Sequence, residues 1–166
     1  DKNTYIDSRQ SHLVLPLIAG VVPEKDISKV ETKLKEEILQ VQNGHFDTGI
    51  HGTYFLVKYL TEKNLQDLLF TLTSQTTYPS YGEIIERGEI TWPEYWSECN
   101  SRVHGCLNGI GGWFQRGILG IQPDPKKVGY KEFIVRPAFH DSLQWAKGHH
   151  ISPYGKINLS WKKTDK

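Results

Sequence analysis

The chain has 166 residues, enough for one domain with a core, or for one domain and part of a second. Its 20 basic and 19 acidic residues give a formal net charge of +1, so the sequence does not predict a polyanionic partner such as nucleic acid. The longest apolar stretch, residues 13–22, is too short to cross a bilayer, and a membrane partner is not predicted either.

Apolar periodicity predicts helices from the beginning of the chain to about residue 119. The first is predicted to be buried and kinked by Pro16, and the second is amphipathic, with apolar residues at every third or fourth position. Asn64 is predicted to cap the fourth helix. The predicted helices cover residues 8–19, 28–42, 53–60, 65–72 and 104–119. Helix starts near residues 8, 52 and 104 lie at similar intervals, which favours an array of helical hairpins.

Two long polar loops separate these helices, at residues 43–52 and 76–102. Both combine carboxylates, histidines and aromatic rings, the residue types that bind sugar hydroxyls and stack on sugar C–H faces. The first loop contributes His45 and Asp47 as substrate-binding candidates. The second contributes Trp92 and Trp96 as candidate walls of a sugar pocket, together with several glutamates.

Each of these residues also has a structural interpretation. Asp47 can cap the turn that follows it, and the two Trp rings can fill space between helices. A glutamate of the second loop can be solvated, or it can pair with Arg87 or Arg102.

From Gly129 onward the pattern changes to the alternation that is typical of strands, at residues 133–137, 143–146 and 157–161. Tyr154 and Gly155 are predicted to form a turn, and His149 and His150 a solvated loop. About three strands are too few for an independent sandwich, so the sequence predicts a partial β-domain.

The two cysteines, Cys99 and Cys106, indicate neither a disulfide framework nor a zinc site, because no matching Cys or His pair stands at ligand spacing. We therefore expect no metal and no cofactor. The absence of Met and the first residue, Asp1, predict a piece of a longer polypeptide. The sequence leaves the compartment open among periplasm, extracellular space and cytoplasm.

Ten short segments, spread over nearly the whole chain, carry a further signal. They are AGVVPE (19–24), GHFDTGIHGT (44–53), YPSYG (78–82), ERG (86–88), TWPEYW (91–96), SRVH (101–104), GWF (112–114), GI (120–121), GYK (129–131) and YG (154–155). In order and spacing they resemble the landmarks of bacterial α-L-rhamnosidases, glycoside hydrolase family 78.

The resemblance implies a mainly α fold: the second half of an (α/α)6 toroid of helix hairpins over residues 1–122, followed by a partial antiparallel β-sandwich over residues 129–166. It also implies hydrolysis of terminal α-L-rhamnosides with inversion. In that reaction a carboxylic acid protonates the leaving oxygen and a carboxylate deprotonates the attacking water. The implied partner is a rhamnose-containing oligosaccharide or glycoside.

Residue by residue, Glu94 matches the family's general base, and Glu89 and Glu98 are the alternatives. The sequence departs from the family pattern here, because the Trp that commonly precedes this Glu has moved one position earlier, to Trp92. His104 matches a histidine that lies beside the base and contacts sugar hydroxyls, and its structural interpretation is a helix cap. The family's general acid has no match in this chain, so we expect the isolated chain to be inactive.

Half of a toroid would expose an apolar edge, so we expect this chain to associate with the remainder of its own protein or with another copy. Two other classes of function stay open. One is a different (α/α) barrel enzyme, such as a glucuronyl hydrolase or a polysaccharide lyase that recruits Tyr78, Tyr81 and His104. The other is a non-catalytic carbohydrate-binding module.

Overall fold

The computed structural model describes residues 7–97, 101–105 and 107–164, in two units, Asp1–Ile110 and Gly111–Lys166. Helices dominate the first unit. They are α1 (Gln10–Ala19), α2 (Glu24–Glu36), α3 (Ile50–Glu62), α4 (Gln66–Thr73) and α5 (Tyr81–Glu86), and α6 (Gly109–Trp113) begins at its end. π-Helical segments extend α2 over Glu37–Val41 and α6 over Phe114–Leu119. None of the described helices is both long enough and apolar enough to cross a membrane.

The core of the first unit forms where α1 packs against α2 and α3, and where α3 packs against α4. Val30, Leu34 and Ile38 are buried because a spacing of four residues places them on one face of α2 and its extension. The facing helices supply the other buried side chains, among them Leu13, Val14, Leu56, Leu60, Leu69 and Leu72. The predicted array of packed helices is confirmed for these four elements.

Three predictions at helix ends are wrong. The second helix begins at Glu24, directly after Pro23, and so starts four residues earlier than expected. Asn64 does not cap α4, because its own backbone is left-handed, at φ 57°, and Leu65 occupies the N-cap position. The helix expected from His104 begins only at Gly109.

The second unit contains two antiparallel sheets of two strands each. β1 (Ile121–Pro123) pairs with β2 (Phe133–Val135), and β3 (Trp145–Ser152) pairs with β4 (Gly155–Lys162). The predicted β unit is confirmed, with one more strand than expected. The prediction of a solvated loop at His149 and His150 is wrong, because both residues lie within β3.

One face of the β3–β4 sheet packs within its own unit. The indole N–H of Trp161 donates to the carbonyl of Ile118 at 3.0 Å, and the Leu119 side chain lies so close to Gly148 that a Cβ there would come within 2.9 Å of it. Gly120 ends the π-helical segment at φ 89°, and a Cβ on it would lie 2.4 Å from the backbone nitrogen of Pro137. Only glycine fits that position, because both the left-handed backbone and the close approach exclude a side chain.

Candidate active site

A short backbone pairing organises the second loop. The N–H of Glu94 donates to the carbonyl of Ser101 at 3.1 Å, and the N–H of His104 donates to the carbonyl of Trp92 at 3.1 Å. The Thr91 hydroxyl also donates to the carbonyl of Arg102. Two segments that lie seven to thirteen positions apart in sequence are therefore held side by side, and this pairing replaces the helix that was expected to start at His104.

The pairing brings together two of the predicted site residues, Glu94 and His104. The Nε2 atom of His104 lies 4.0 Å from Oε1 of Glu94, and the two side chains are 37% and 29% exposed, respectively. The other ring nitrogen of His104, Nδ1, lies 2.5 Å from the Ser101 hydroxyl. Because Ser101 holds one edge of the imidazole, the opposite edge faces the Glu94 carboxylate.

The arginines that could have neutralised Glu94 are engaged with other carboxylates. Nη1 of Arg87 lies 3.3 Å from Glu83, and Nη1 of Arg102 lies 3.3 Å from Glu89. Within the described ranges, the ionisable side chain closest to Glu94 is thus a histidine and not an arginine. Unlike Glu83 and Glu89, Glu94 has no arginine partner among the described residues.

Two hollows adjoin this pair. One, of about 180 Å³, is lined by Glu94 together with Tyr78, Tyr95, Trp96 and Ile50. The other, of about 420 Å³, is lined by Trp92, His104 and Glu89 and by the exposed apolar side chains Ile85, Ile90 and Val103. A half-buried Trp ring beside polar groups is the surface that a sugar ring needs for stacking.

Trp96 is buried and ties the two loops together. Its indole N–H donates to the carbonyl of Thr48 at 2.7 Å, and its ring stacks on Phe46 with centroids 5.0 Å apart. The ring of Tyr81 meets it edge-on at 5.1 Å, and Nη2 of Arg87 donates to the Trp96 carbonyl at 3.1 Å. With only 7% of the residue exposed, most of its contacts are internal, so its role as a sugar wall stays a prediction.

His45 is held within its own part of the chain. Its Nδ1 lies 3.1 Å from the carbonyls of Gln42 and Asn43, which can only accept, and its Nε2 lies 2.8 Å from the Thr77 hydroxyl. It lines neither of the two hollows beside Glu94 and His104. The structure therefore does not bring His45 together with that pair, and its contact with substrate stays a prediction.

Asp47 has a buried carboxylate oxygen, Oδ2, without a hydrogen-bond partner among the described residues. The N–H of Asp47 donates to the buried side chain of Gln10 at 3.1 Å. Burial raises the pKa of the Asp47 carboxyl, Arg9 opposes this, and the charge of Glu37 adds to the rise. Asp47 does not cap α3, because Gly49 occupies the N-cap position and no side chain caps it.

Replacing Asp47 by asparagine is expected to raise the melting temperature at neutral pH and to leave it nearly unchanged in acid. Because the folded state raises the pKa of Asp47, its contribution to stability is fully present below the ordinary value of 3.8 and is lost as pH rises through the raised value. Above that pH the carboxylate is charged with one oxygen unpaired, a cost that the amide avoids. Thermal unfolding at pH 3 and pH 7 checks this, and an equal difference between the two proteins at both pH values would contradict it.

Sequence reasoning missed α5 and the residues that support the second loop. Ser80 caps α5 by accepting from the N–H of Glu83 at 3.0 Å, and the Tyr81 hydroxyl donates to the carbonyl of Leu107 at 2.7 Å. A serine followed three positions later by glutamate is a helix-start signal, and it could have identified α5. Within the described ranges, no three His, Cys, Asp or Glu side chains lie close enough together to hold a metal ion.

Comparison with known proteins gives matches over both units. Residues 1–118 match the model of the bacterial alpha-L-rhamnosidase 6 hairpin glycosidase domain, and residues 120–166 match that of the bacterial alpha-L-rhamnosidase C-terminal domain. An alpha-L-rhamnosidase from Formosa agariphila is 33% identical over 159 residues, which cover 92% of this chain and 17% of that protein. The chain spans 16 to 18% of the length of the curated relatives that it matches.

Two solved structures share the fold. The alpha-L-rhamnosidase from Dictyoglumus thermophilum matches with a TM-score of 0.82 and 29% identity, over 94% of this chain and 18% of that one. The Streptomyces avermitilis alpha-L-rhamnosidase, solved in complex with L-rhamnose, matches with a TM-score of 0.86 and 27% identity, over 95% of this chain and 16% of that one. These matches confirm the predicted fold class, part of a six-hairpin helical domain followed by antiparallel β-structure.

Proposed function

The chain belongs to the bacterial α-L-rhamnosidase family of glycoside hydrolases, and we propose that it supplies the general-base side of the active site of an inverting α-L-rhamnosidase. The observation that carries the proposal is the pair formed by Glu94 and His104 at 4.0 Å, beside two hollows. An inverting glycosidase needs one carboxylate that takes a proton from water, on the face of the sugar opposite the leaving group. Glu94 is the carboxylate that the described residues offer for this step.

The neighbours of Glu94 support this role. As water attacks the anomeric carbon, Glu94 accepts its proton, and the edge of His104 that faces Glu94 is available to a sugar hydroxyl or to the carboxylate. Trp92 provides an aromatic face for the sugar ring. His45, Asp47 and Trp96 belong to the same proposal as substrate contacts. The proton that reaches the leaving oxygen comes from a carboxylic acid outside these 166 residues.

The same proposal covers the organisation and the partners of the chain. A helical part over residues 1–122 and a β part over residues 129–166 act on a terminal rhamnoside only when joined by the remainder of the protein or by another copy. The isolated chain does not turn over, because one half of the catalytic pair is missing.

Tyr81 argues against the lyase alternative. Its hydroxyl is buried and donates to the carbonyl of Leu107 at 2.7 Å, and burial raises the pKa of this phenol above its ordinary value. A phenol that is harder to ionise, and that already donates to a backbone carbonyl, is a poor base for proton abstraction from a uronate.

The intact protein is expected to release rhamnose from an aryl α-L-rhamnoside with inverted anomeric configuration, whereas the separate 166-residue chain releases none. Proton NMR of the first product, recorded before mutarotation, checks the configuration. Product of retained configuration would contradict inversion, and an unsaturated uronate released from a polysaccharide would assign the protein to the lyases.

A further inference from the structure

The outer face of the β3–β4 sheet is the face opposite to the one that carries Gly148 and Trp161, and it is strongly basic. It carries Lys147 from β3 and Lys156 and Lys162 from β4, and all three are exposed. Neither strand contains an acidic residue. Within the described part of this unit, the ion pairs use other lysines, so these three ammonium groups are available to a partner.

An aromatic ring and several hydrogen-bonding groups lie among the lysines. Trp145 is 60% exposed and stands directly opposite Lys162 in the register. On the same face, His149 is paired with Asn158, and Lys147 with Ser160. Neighbours across an antiparallel pair lie roughly 5 Å apart. The indole of Trp145 therefore lies close to lysine ammonium groups and to side chains that can bind sugar hydroxyls.

This face is unsuited to cover by an apolar layer. The opposite face already packs within the unit through Gly148 and Trp161. A second apolar layer on the outer face would remove three ammonium groups from water without giving them partners, which is strongly unfavourable. An anionic partner removes that cost, because it pairs with the lysines.

We propose that the outer face of the β3–β4 sheet binds an acidic polysaccharide, a chain of sugar rings bearing carboxylate or sulfate groups. Trp145 stacks on the face of one ring while the lysines pair with anionic groups on either side of it. The face runs from Trp145 to Ile151, roughly 20 Å at the rise of an antiparallel strand, so it can hold several sugar rings in a row. The net charge of +1 for the whole chain does not indicate this basic face, because acidic residues elsewhere in the sequence offset the charge of its lysines.

The choice of a polysaccharide over nucleic acid rests on the proposed function and on the composition of the face. Surfaces that bind single-stranded nucleic acid combine several aromatic rings with a continuous basic groove, whereas this face has one exposed Trp ring and no arginine. A glycoside hydrolase gains from a second binding surface for its polymer, since the held chain presents its ends repeatedly.

Binding of polygalacturonate and of dextran sulfate to the intact protein tests the proposal, by affinity electrophoresis or calorimetry, with neutral dextran as the reference polymer. We expect the combined change Lys147→Gln, Lys156→Gln and Lys162→Gln to weaken binding of the acidic polymers at least about tenfold. The matched control changes three exposed lysines elsewhere, Lys25→Gln, Lys35→Gln and Lys126→Gln, for the same loss of charge, and we expect it to change affinity by less than about twofold. Trp145→Ala, which should not affect folding because the ring is exposed, is expected to weaken binding at least about threefold.

Three outcomes would overturn the proposal. The first is that neither acidic polymer binds, and the second is that both triple lysine variants lose the same affinity for the polymers. The third is that duplex DNA or phosphatidylserine vesicles bind as tightly as the polymers, with an affinity that Trp145→Ala does not change. Hydrolysis of a neutral aryl rhamnoside by the unaltered protein separates the two proposals. If that activity is absent while polymer binding depends on Trp145 and the lysines, the proposed function fails and this surface stands. If the activity is present and the polymers do not bind, only the surface fails.

Discussion

Replacing Glu94 by glutamine is expected to lower kcat of the intact protein on an aryl α-L-rhamnoside by about 10²–10⁴-fold. The amide fills the same space beside His104, but it cannot accept the proton of the attacking water. Rhamnose binding, measured by calorimetry, should change little, because the sugar contacts attributed to Trp92 and Asp47 remain. A large fall in kcat with retained affinity is the signature of a group that acts in the transition state, and a binding module would have no turnover to lose.

Two further glutamates make this result specific. Glu86 is exposed on α5, and Glu86→Gln should leave kcat unchanged. Glu89, the other candidate for the general base, is already paired with Arg102 at 3.3 Å. We therefore expect Glu89→Gln to lower kcat less than Glu94→Gln does. If Glu89→Gln lowers kcat more than Glu94→Gln does, Glu89 is the general base and the role proposed for Glu94 is contradicted. The other rival, Glu98, lies outside the described residues.

The helical half of the fold could be predicted because its signals are local. In α2 and its π-helical extension the apolar residues Val30, Leu34 and Ile38 repeat at the helical period, and the structure buries all three. By contrast, α5 is hidden in a long aromatic and polar segment, where a helix of six residues has too few apolar positions to show a period. Its one local signal is the spacing of Ser80 and Glu83.

The site could be predicted only in part, because its contacts are non-local. The backbone bonds that place His104 beside Glu94 join positions that no periodic pattern relates, and the resemblance to a known family supplied that pairing instead. Gln10, which holds the backbone of Asp47, lies 37 positions away in sequence. At His149 and His150 the strand pattern was obscured, because polar side chains occupy the outer face of β3 as well as part of its inner face.

Replacing Trp96 by alanine is expected to lower the free energy of unfolding by about 3–5 kcal/mol, the range found for large aromatic residues in cores. The change removes a ring that stacks on Phe46 and meets Tyr81 edge-on, and it opens a cavity between the two loops. It also removes the shorter of the two hydrogen bonds to the carbonyl of Thr48 and leaves the one from the Thr53 hydroxyl at 3.4 Å. Urea unfolding of the intact protein, followed by circular dichroism, measures the loss.

Two companion variants separate packing from hydrogen bonding. Trp96→Phe keeps an aromatic ring against Phe46 but removes the N–H donor, so the expected loss in the free energy of unfolding is about 0.5–1.5 kcal/mol, the net contribution of one hydrogen bond. Trp92→Ala should lower the free energy of unfolding less than Trp96→Ala does, because the ring of Trp92 is only half-buried and faces an open hollow. If the two alanine variants are equally destabilised, Trp96 does not anchor the loops.

If Trp96 does anchor the loops, Trp96→Phe should also lower kcat. Glu94 lies two residues before Trp96, and the hydrogen bond from the indole to Thr48 fixes the loop that carries both residues.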